Sequence, residues 1–280
     1  MKVTPLGRAL ECVLPSGGNR MEYTIIIIVT IFLIGFIGSF VSGMVGIGGA
    51  IVNYPLLYYI PAALGIVSFS ASEVAGIVAI QVFFSTSSGA LAYRKGGYLN
   101  KTVITYMGIS VLIGSFAGGM LSSVMTEGSI NTIYGVLAIL AVVMMFIPKK
   151  NIDTAFDIDH FNRWLASILS LIVGVGAGIV GAGGAFLLVP IMLVILKIPT
   201  RITIASSLAI TFISSIGSAS SKILTDQVLF VPALIMAVVS LIASPLGAKV
   251  GKKADTKILQ RILAVLILGT AVKIWLDILI

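Results

Sequence analysis

Cysteine and histidine are almost missing from this chain of 280 residues, which has one of each, Cys12 and His160. A single cysteine excludes an intramolecular disulfide, and one cysteine with one histidine leaves no cluster that could hold a metal ion. No hydrolase triad, paired-carboxylate site or phosphate loop is visible, and the glycine-rich phrases lack the spacing of a dinucleotide fingerprint. We therefore expect no enzymatic activity, no metal and no cofactor.

Charge is scarce as well. Only 10% of the residues are charged, 58% are hydrophobic and the mean hydropathy is +1.15, whereas about 25% of a soluble domain is charged. A soluble helical protein would show helices that are polar on one side, but the long runs of this chain are apolar all round. The composition predicts an all-α polytopic membrane protein of the cell (plasma or inner) membrane, with the lipid bilayer as its surroundings. The runs, each about long enough to cross a bilayer core, lie near residues 23–45, 74–93, 102–124, 131–147, 202–224, 228–250 and 258–280.

The excess of positive charge has a membrane explanation. The formal net charge is +8, and most of the 18 Lys and Arg residues lie in short junctions between apolar runs, as the positive-inside rule predicts. Nucleic acid is therefore not an expected partner. Residues 1–22 are predicted to be a flexible N-terminal tail, or an upstream extension if the native start is Met21.

One glycine-rich phrase occurs twice. Gly46-Ile47-Gly48-Gly49-Ala50 precedes Pro55, and Gly181-Ala182-Gly183-Gly184-Ala185 precedes Pro190, an offset of 135 residues. Apolar segments follow both copies in the same order, which is typical of transporters with internal repeats. The chain then divides into a first repeat (23–148) and a second repeat (163–280), each with five segments, joined by a cytoplasmic linker (149–162).

The basic junctions exchange places between the two repeats. In the first repeat they lie between the third and fourth segments, at Arg94, Lys95 and Lys101. In the second repeat they include Lys197, between the second and third segments, and Lys253, between the fourth and fifth. An odd number of segments inverts the second repeat relative to the first. We expect two inverted five-segment repeats with both termini outside, and a re-entrant hairpin at each glycine turn, the first two segments of the second repeat being short.

The glycine turns are the first candidate site. A turn that opens a helix leaves backbone N–H groups unpaired and directs the positive end of the helix dipole outward, and glycine lets a ligand approach those groups closely. Two such turns facing each other would form an anion cradle near the midplane, whereas the alternative is that the glycines only allow close helix packing. The candidate residues are Gly46, Gly48, Gly49, Ala50, Gly181, Gly183, Gly184 and Ala185.

Polar side chains in the apolar segments complete the candidate site. The third segment of the second repeat carries hydroxyl groups at helical spacing, and they could ligate an anion or simply bond neighbouring helices. The first repeat has Gln81 at that depth, and Asn53 where the second repeat has Leu188. No charged residue lies clearly in the middle of a segment, so we expect dipoles rather than a full charge to bind the anion. The hydroxyl stripe consists of Thr203, Ser206, Ser207, Thr211, Ser214, Ser215 and Ser218, of which Ser206, Ser207 and Thr211 are candidate ligands.

At these motifs the chain resembles the TauE/SafE family of sulfite and organosulfonate exporters, over about residues 24–279. The resemblance also includes the run Ser88–Lys95 and Ala205-Ser206-Ser207-Leu208, whereas Ala75-Gly76-Ile77-Val78 replaces the Thr-Ser type of sequence expected in the first repeat. It implies a secondary transporter that exports a small sulfur-containing anion, sulfite or an organosulfonate, by alternating access of the repeats. The alternatives are a non-transporting membrane subunit and an anion channel, and the candidate assembly is a homodimer.

Overall fold

The computed structural model describes residues 20–45, 49–93, 99–146 and 162–251, together with Leu268, Gly269 and Val272. Every regular element in this part of the chain is helical, so the all-α prediction is confirmed. The helices are α1 Arg20–Val45, α2 Ala50–Ala63, α3 Ala71–Tyr93, α4 Lys101–Leu121, α5 Glu127–Phe146, α6 Arg163–Val180, α7 Ala185–Pro190, α8 Thr200–Leu224 and α9 Phe230–Gly251. A 3-10 turn, Ser122–Val124, extends α4, and a π-helical turn, Ile191–Ile195, extends α7.

Among the described residues, seven helices are long and apolar enough to cross a membrane, namely α1, α3, α4, α5, α6, α8 and α9. Large apolar side chains such as Leu33, Ile113, Ile172 and Leu234 point outward from them and are more than half exposed. In water such a surface would be unfavourable, but it suits a lipid environment. The chain is a multi-pass membrane protein. The fifth segment of the second repeat lies outside the described residues, apart from three positions.

Helix α6 has the bounds that the sequence predicts for the first segment of the second repeat, residues 163–180. Its 18 residues give a length of about 27 Å at 1.5 Å per residue, so it is long enough to cross a membrane although we expect a short segment. The Asn162 side chain caps its start by accepting a hydrogen bond from the Leu165 N–H at 3.1 Å. Gly181, at φ 77°, ends it in the left-handed conformation that favours glycine. The helix therefore approaches the thickness of the hydrocarbon core.

Glycines bring the helix pairs into close contact. A methyl group on Gly118 of α4 would collide with the Val175 carbonyl of α6, and one on Gly178 of α6 with the Ser115 carbonyl of α4. Helices α1 and α9 pack in the same way, with Gly43 against the Ser244 carbonyl. Packing of this kind replaces the hydrophobic driving force that lipid does not supply.

Helices α3 and α8 lie side by side at the centre of this arrangement. The Phe83 and Phe212 rings, both near the midpoints of their helices, have centroids 5.3 Å apart. Helix α3 also packs against α9, and α8 against α4. The midpoints of α3 and α8 therefore give a reference for the depth of the glycine turns.

Candidate functional site

The second glycine turn reaches the middle of the helix packing. The position of a Cβ on Gly183 lies 2.8 Å from side-chain carbons of both Val82 and Thr211, the twelfth residues of α3 and α8 respectively. Gly183 and Gly184 have φ angles of 66° and 77°, which glycine adopts far more readily than other residues. The helical run from Ala185 to Ile195 therefore starts near the midpoint of the two central helices.

The other glycines of this turn are held by close contacts. A side chain on Gly181 would collide with the Ala75 carbonyl near the start of α3, and one on Gly184 would press on Ala177 and Val173 of α6 at 3.2 Å. Ala185 is fully buried. After Gly181 the backbone thus runs back beside the last turns of α6, so that Gly184 lies next to Ala177 and Val173. The space there is too tight for a larger residue without a shift of its neighbours.

The first glycine turn is described only from Gly49 onward, since Gly46 and Gly48 lie outside the described residues. Gly49 has φ 67° and precedes α2, whose first residue, Ala50, is fully buried. The backbone N–H groups of Val52 and Asn53 bond the Gly49 carbonyl at 3.1 and 2.9 Å. No side chain caps this helix start, which leaves the first N–H groups of α2 without an intrahelical partner.

Asn53 is the clearest anomaly of the candidate site. Its side chain is fully buried against Gly38 of α1, and among the described residues neither its Oδ1 nor its Nδ2 has a hydrogen-bond partner. Leaving a buried polar group unpaired costs about 1–3 kcal/mol, so an unused amide at this depth calls for an explanation.

The tyrosine next to Asn53 holds α2 in place. Tyr54 donates to Asn131 Oδ1 of α5 at 2.9 Å, and Asn131 Nδ2 donates to the Tyr58 hydroxyl at 3.2 Å. The Tyr54 ring stacks on Tyr134 with centroids 4.7 Å apart. These contacts fix the rotation of α2 and therefore the direction of the Asn53 side chain.

Gln81 adds a second buried amide from α3. Its Nε2 donates to Ser39 Oγ at 2.7 Å, while its Oε1 has no partner. Because the Ser39 hydroxyl can donate as well as accept, rotating the amide by half a turn would leave the N–H₂ group free instead. Gln81 can thus offer either a donor or an acceptor. Close by along α3, Ser85 Oγ lies 3.3 Å from Ser42 Oγ of α1.

The hydroxyl stripe of α8 divides into groups with different surroundings. Thr211 lies beside Gly183 and donates to the Ser207 carbonyl at 2.7 Å, and Ser207 is fully buried. Ser206 Oγ instead accepts the Asn100 N–H at 3.3 Å, at the start of α4. Ser214 and Ser218 are fully buried with unpaired hydroxyl groups. The structure therefore brings Thr211 to the second turn and engages Ser206 at a helix end.

Lys222 is a polar residue to which the sequence assigns no role. It lies in the last turn of α8, as its position indicates, but it is fully buried instead of reaching water. Its Nζ donates to Ser122 Oγ, Gln227 Oε1 and the Ile179 carbonyl at 2.6, 2.7 and 3.0 Å. Residues from three other parts of the chain therefore surround this lysine, although it lies near the end of its helix.

Comparison with known proteins gives one family and several relatives. The family model described as sulfite exporter TauE/SafE matches residues 31–274. A probable membrane transporter protein of Bacillus subtilis (strain 168), YunE, is 26% identical over 261 residues, covering 86% of this chain and 94% of its own. A probable membrane transporter protein of Methanocaldococcus jannaschii is also 26% identical, over 257 residues, with 88% and 94% covered. No solved structure matches. With a family model that matches nearly all of its membrane-embedded length, this chain belongs to the TauE/SafE family of membrane transporters.

Proposed function

We propose that this protein is a secondary carrier that exports a small sulfur-containing anion, sulfite or an organosulfonate, across the cell membrane by alternating access of two inverted repeats. The observation that carries the proposal is the buried amide of Asn53, unpaired in the first turns of α2 and next to the Gly49 turn. The name of the family supports the choice of a sulfur oxyanion.

Reciprocal contacts support the two-repeat arrangement. Ser115 donates to the Ser214 carbonyl at 2.8 Å, linking the fourth helix of the first repeat to the third of the second. Ser244 donates to the Ser85 carbonyl, also at 2.8 Å, linking the same pair of helices with the repeats exchanged. The first helix of each repeat likewise packs on the fourth helix of the other, through Gly43 and Gly178. A pseudo-twofold axis between the repeats accounts for all of these pairs.

The order of the contacts supports the inversion. Along α4 and α8 residue numbers rise together, from Gly108 beside Ile213 to Gly119 beside Ser221. Along α3 and α8 they run in opposite senses, because Phe83 meets Phe212 whereas Gly89 lies near Leu208. The third helices of the two repeats are therefore antiparallel, as inverted repeats require.

The site that we propose combines the two turns with the buried amides. The free N–H groups at the start of α2, the Asn53 amide and the Gln81 amide offer donors without a fixed charge. In the second repeat, Gly183 lies beside Thr211, at the middle of α8, and beside Val82, hence near the level of Gln81. The proposed ligands also include the other residues predicted from the sequence, Gly46, Gly48, Ala50, Gly181, Gly184, Ala185, Ser206 and Ser207. An anion bound by such dipoles would supply the partner that Asn53 lacks.

Export needs no coupling ion on energetic grounds. Moving one negative charge outward from a negative interior yields about 2.3 kcal/mol per 100 mV. An anion uniporter could therefore run outward on the membrane potential alone. A channel would need a continuous polar path, but the second turn is packed tightly against Val82 and Thr211.

The test compares Asn53→Leu with Asn131→Leu in purified protein and in proteoliposomes loaded with labelled sulfite. Leu188 holds the corresponding place in the second repeat, so leucine suits the Asn53 position. We expect Asn53→Leu to weaken sulfite binding by about one to two decades, as for hydrogen bonds to a charged group, and to keep its melting temperature because it removes an unpaired group. Asn131→Leu should instead lower the melting temperature, since it breaks the bonds to Tyr54 and Tyr58. Unchanged sulfite efflux in Asn53→Leu would contradict the proposed site, and sulfite currents far above carrier rates would favour a channel.

A further inference from the structure

Lys222 places its amino group in the interior of the protein. Three acceptors surround Nζ within 3.0 Å, the oxygens of Ser122, Gln227 and Ile179. An ammonium group has three N–H donors, one for each of these oxygens. The geometry is therefore that of a buried cation.

No carboxylate neutralises this charge in the described part of the chain. The three partners of Lys222 are neutral, and Asp226, four residues later, is exposed with a positive φ of 54°. The Ile179 carbonyl lies in the last turn of α6, where the helix dipole favours a cation, but only as a partial charge. Burying a charge without an opposite charge costs several kcal/mol. A bound anion would provide the missing countercharge.

Gln227 offers the donor that such an anion needs. Its Oε1 accepts from Lys222, and its Nε2 has no partner in the part of the chain that the structure describes, although the residue is only 8% exposed. The lysine polarises the amide, which strengthens the free N–H₂ group as a donor. The absence of a side chain at Gly76 permits this position of Gln227, because a Cβ on residue 76 would collide with the Gln227 carbonyl.

The cluster lies directly beyond the second glycine turn. Ile179 is two residues before Gly181, and Gly181 packs on the Ala75 carbonyl, next to Gly76. The distribution of basic residues predicts that the end of α4 and the α8–α9 connection are on the outer side. The cluster therefore lies between the turn and the outer surface.

We propose that Lys222 and Gln227 form a second anion site, on the outer side of the second glycine turn, which takes a small oxyanion. Gln227 Nε2 donates to the anion and Lys222 is its countercharge. A role of this site in export rests on the proposed function, whereas the binding of an anion to Lys222 and Gln227 does not depend on it. Ser122 and the Ile179 carbonyl hold the ammonium group in place.

The experiment gives Lys222 an internal countercharge by the near-isosteric substitution Gln227→Glu. Purified wild-type protein is melted in sulfite, sulfate, nitrate and chloride at constant ionic strength. We expect at least one of these anions to stabilise the wild type, and Gln227→Glu to melt no lower than wild type without anion. The apparent Kd of that anion should be about tenfold higher, or more, for Gln227→Glu than for the wild type, as expected for the loss of a hydrogen bond to a charged group. Lys222→Met should weaken the binding of that anion as well.

Ser123→Asp is the matched control, since it adds a negative charge beside Ser122 on an exposed residue and should keep the anion response.

An unchanged anion response in Gln227→Glu, or no stabilisation of the wild type by any of the four anions, would overturn the outer site. If Gln227→Glu binds and exports sulfite as the wild type does, the outer site fails and the proposed function stands. If Asn53→Leu exports normally while Gln227→Glu loses the anion response, the outer site stands and the Asn53 site fails.

Discussion

At the scale of single residues, two glycines with the same backbone conformation differ in their surroundings. Gly49 and Gly65 have φ angles of 67° and 66°. A Cβ on Gly49 would lie 2.6 Å from the Ser42 Cβ, whereas one on Gly65 would meet nothing within 4 Å. Substitutions at both glycines meet the strain of a left-handed backbone, but only those at Gly49 also meet a lack of space. Comparing the two therefore distinguishes these effects.

We expect Gly65→Ala to cost about 1–2 kcal/mol, the strain of a left-handed residue with a side chain, and to leave anion export unchanged. Gly49→Ala should cost more and reduce export, because the methyl group must displace Ser42 or the start of α2. Melting temperatures and sulfite efflux from proteoliposomes, measured on both variants, check this. Equal effects of the two substitutions would mean that the Gly49 turn needs only backbone freedom.

The polar residues differ in how visible they are in the sequence. Asn53 and Gln81 stand out because each is a lone amide in an apolar run, and both are buried with an unpaired atom. Lys222 reads as a charge that reaches water from a helix end. Its burial depends on Ser122 and Ile179, about 100 and 43 residues away in the chain, and no local pattern encodes contacts of that range.

At the scale of helices, the boundaries follow closely from the apolar runs. The predicted run 102–124 corresponds to α4 with its 3-10 extension, and 202–224 to nearly all of α8. These ends are visible because polar residues such as Asn100, which caps α4, mark them in the sequence. The pairing of helices is less visible, since it depends on where glycines meet carbonyl groups of other helices.

The glycine contacts between helices predict a graded response to added methyl groups. We expect Gly118→Ala and Gly247→Ala each to destabilise the protein by about 1–3 kcal/mol, the usual cost of overpacking, because the methyl groups would collide with the Val175 and Phe40 carbonyls. Gly128→Ala, with nothing within 4 Å of its Cβ, should be neutral or slightly stabilising. Thermal unfolding in detergent measures all three, and similar melting temperatures throughout would contradict the packing role.

At the scale of the whole molecule, helices of the two proposed repeats pack on one another. Helix α1 belongs to the first repeat but packs on α9, and α6 belongs to the second but packs on α4. Each unit that could rock during transport therefore contains helices from both repeats. Alternating access would then change the contact between α3 and α8, where the second glycine turn is placed.

Orientation in the membrane provides the decisive test of the inverted repeats. On a Cys12→Ser background, single cysteines replace Lys101 at the start of α4, Ser123 just after its end and Lys249 near the end of α9, all of which are exposed. Because α4 and α9 run in opposite directions if the repeats are inverted, Lys101→Cys and Lys249→Cys should both resist an impermeant thiol reagent in intact cells, whereas Ser123→Cys should react. Permeabilised cells, in which all three should react, control for access. Reaction of Lys249→Cys together with Ser123→Cys in intact cells would place the ends of α4 and α9 on the same side. The two repeats would then have the same orientation, and a carrier built on inverted halves would be excluded.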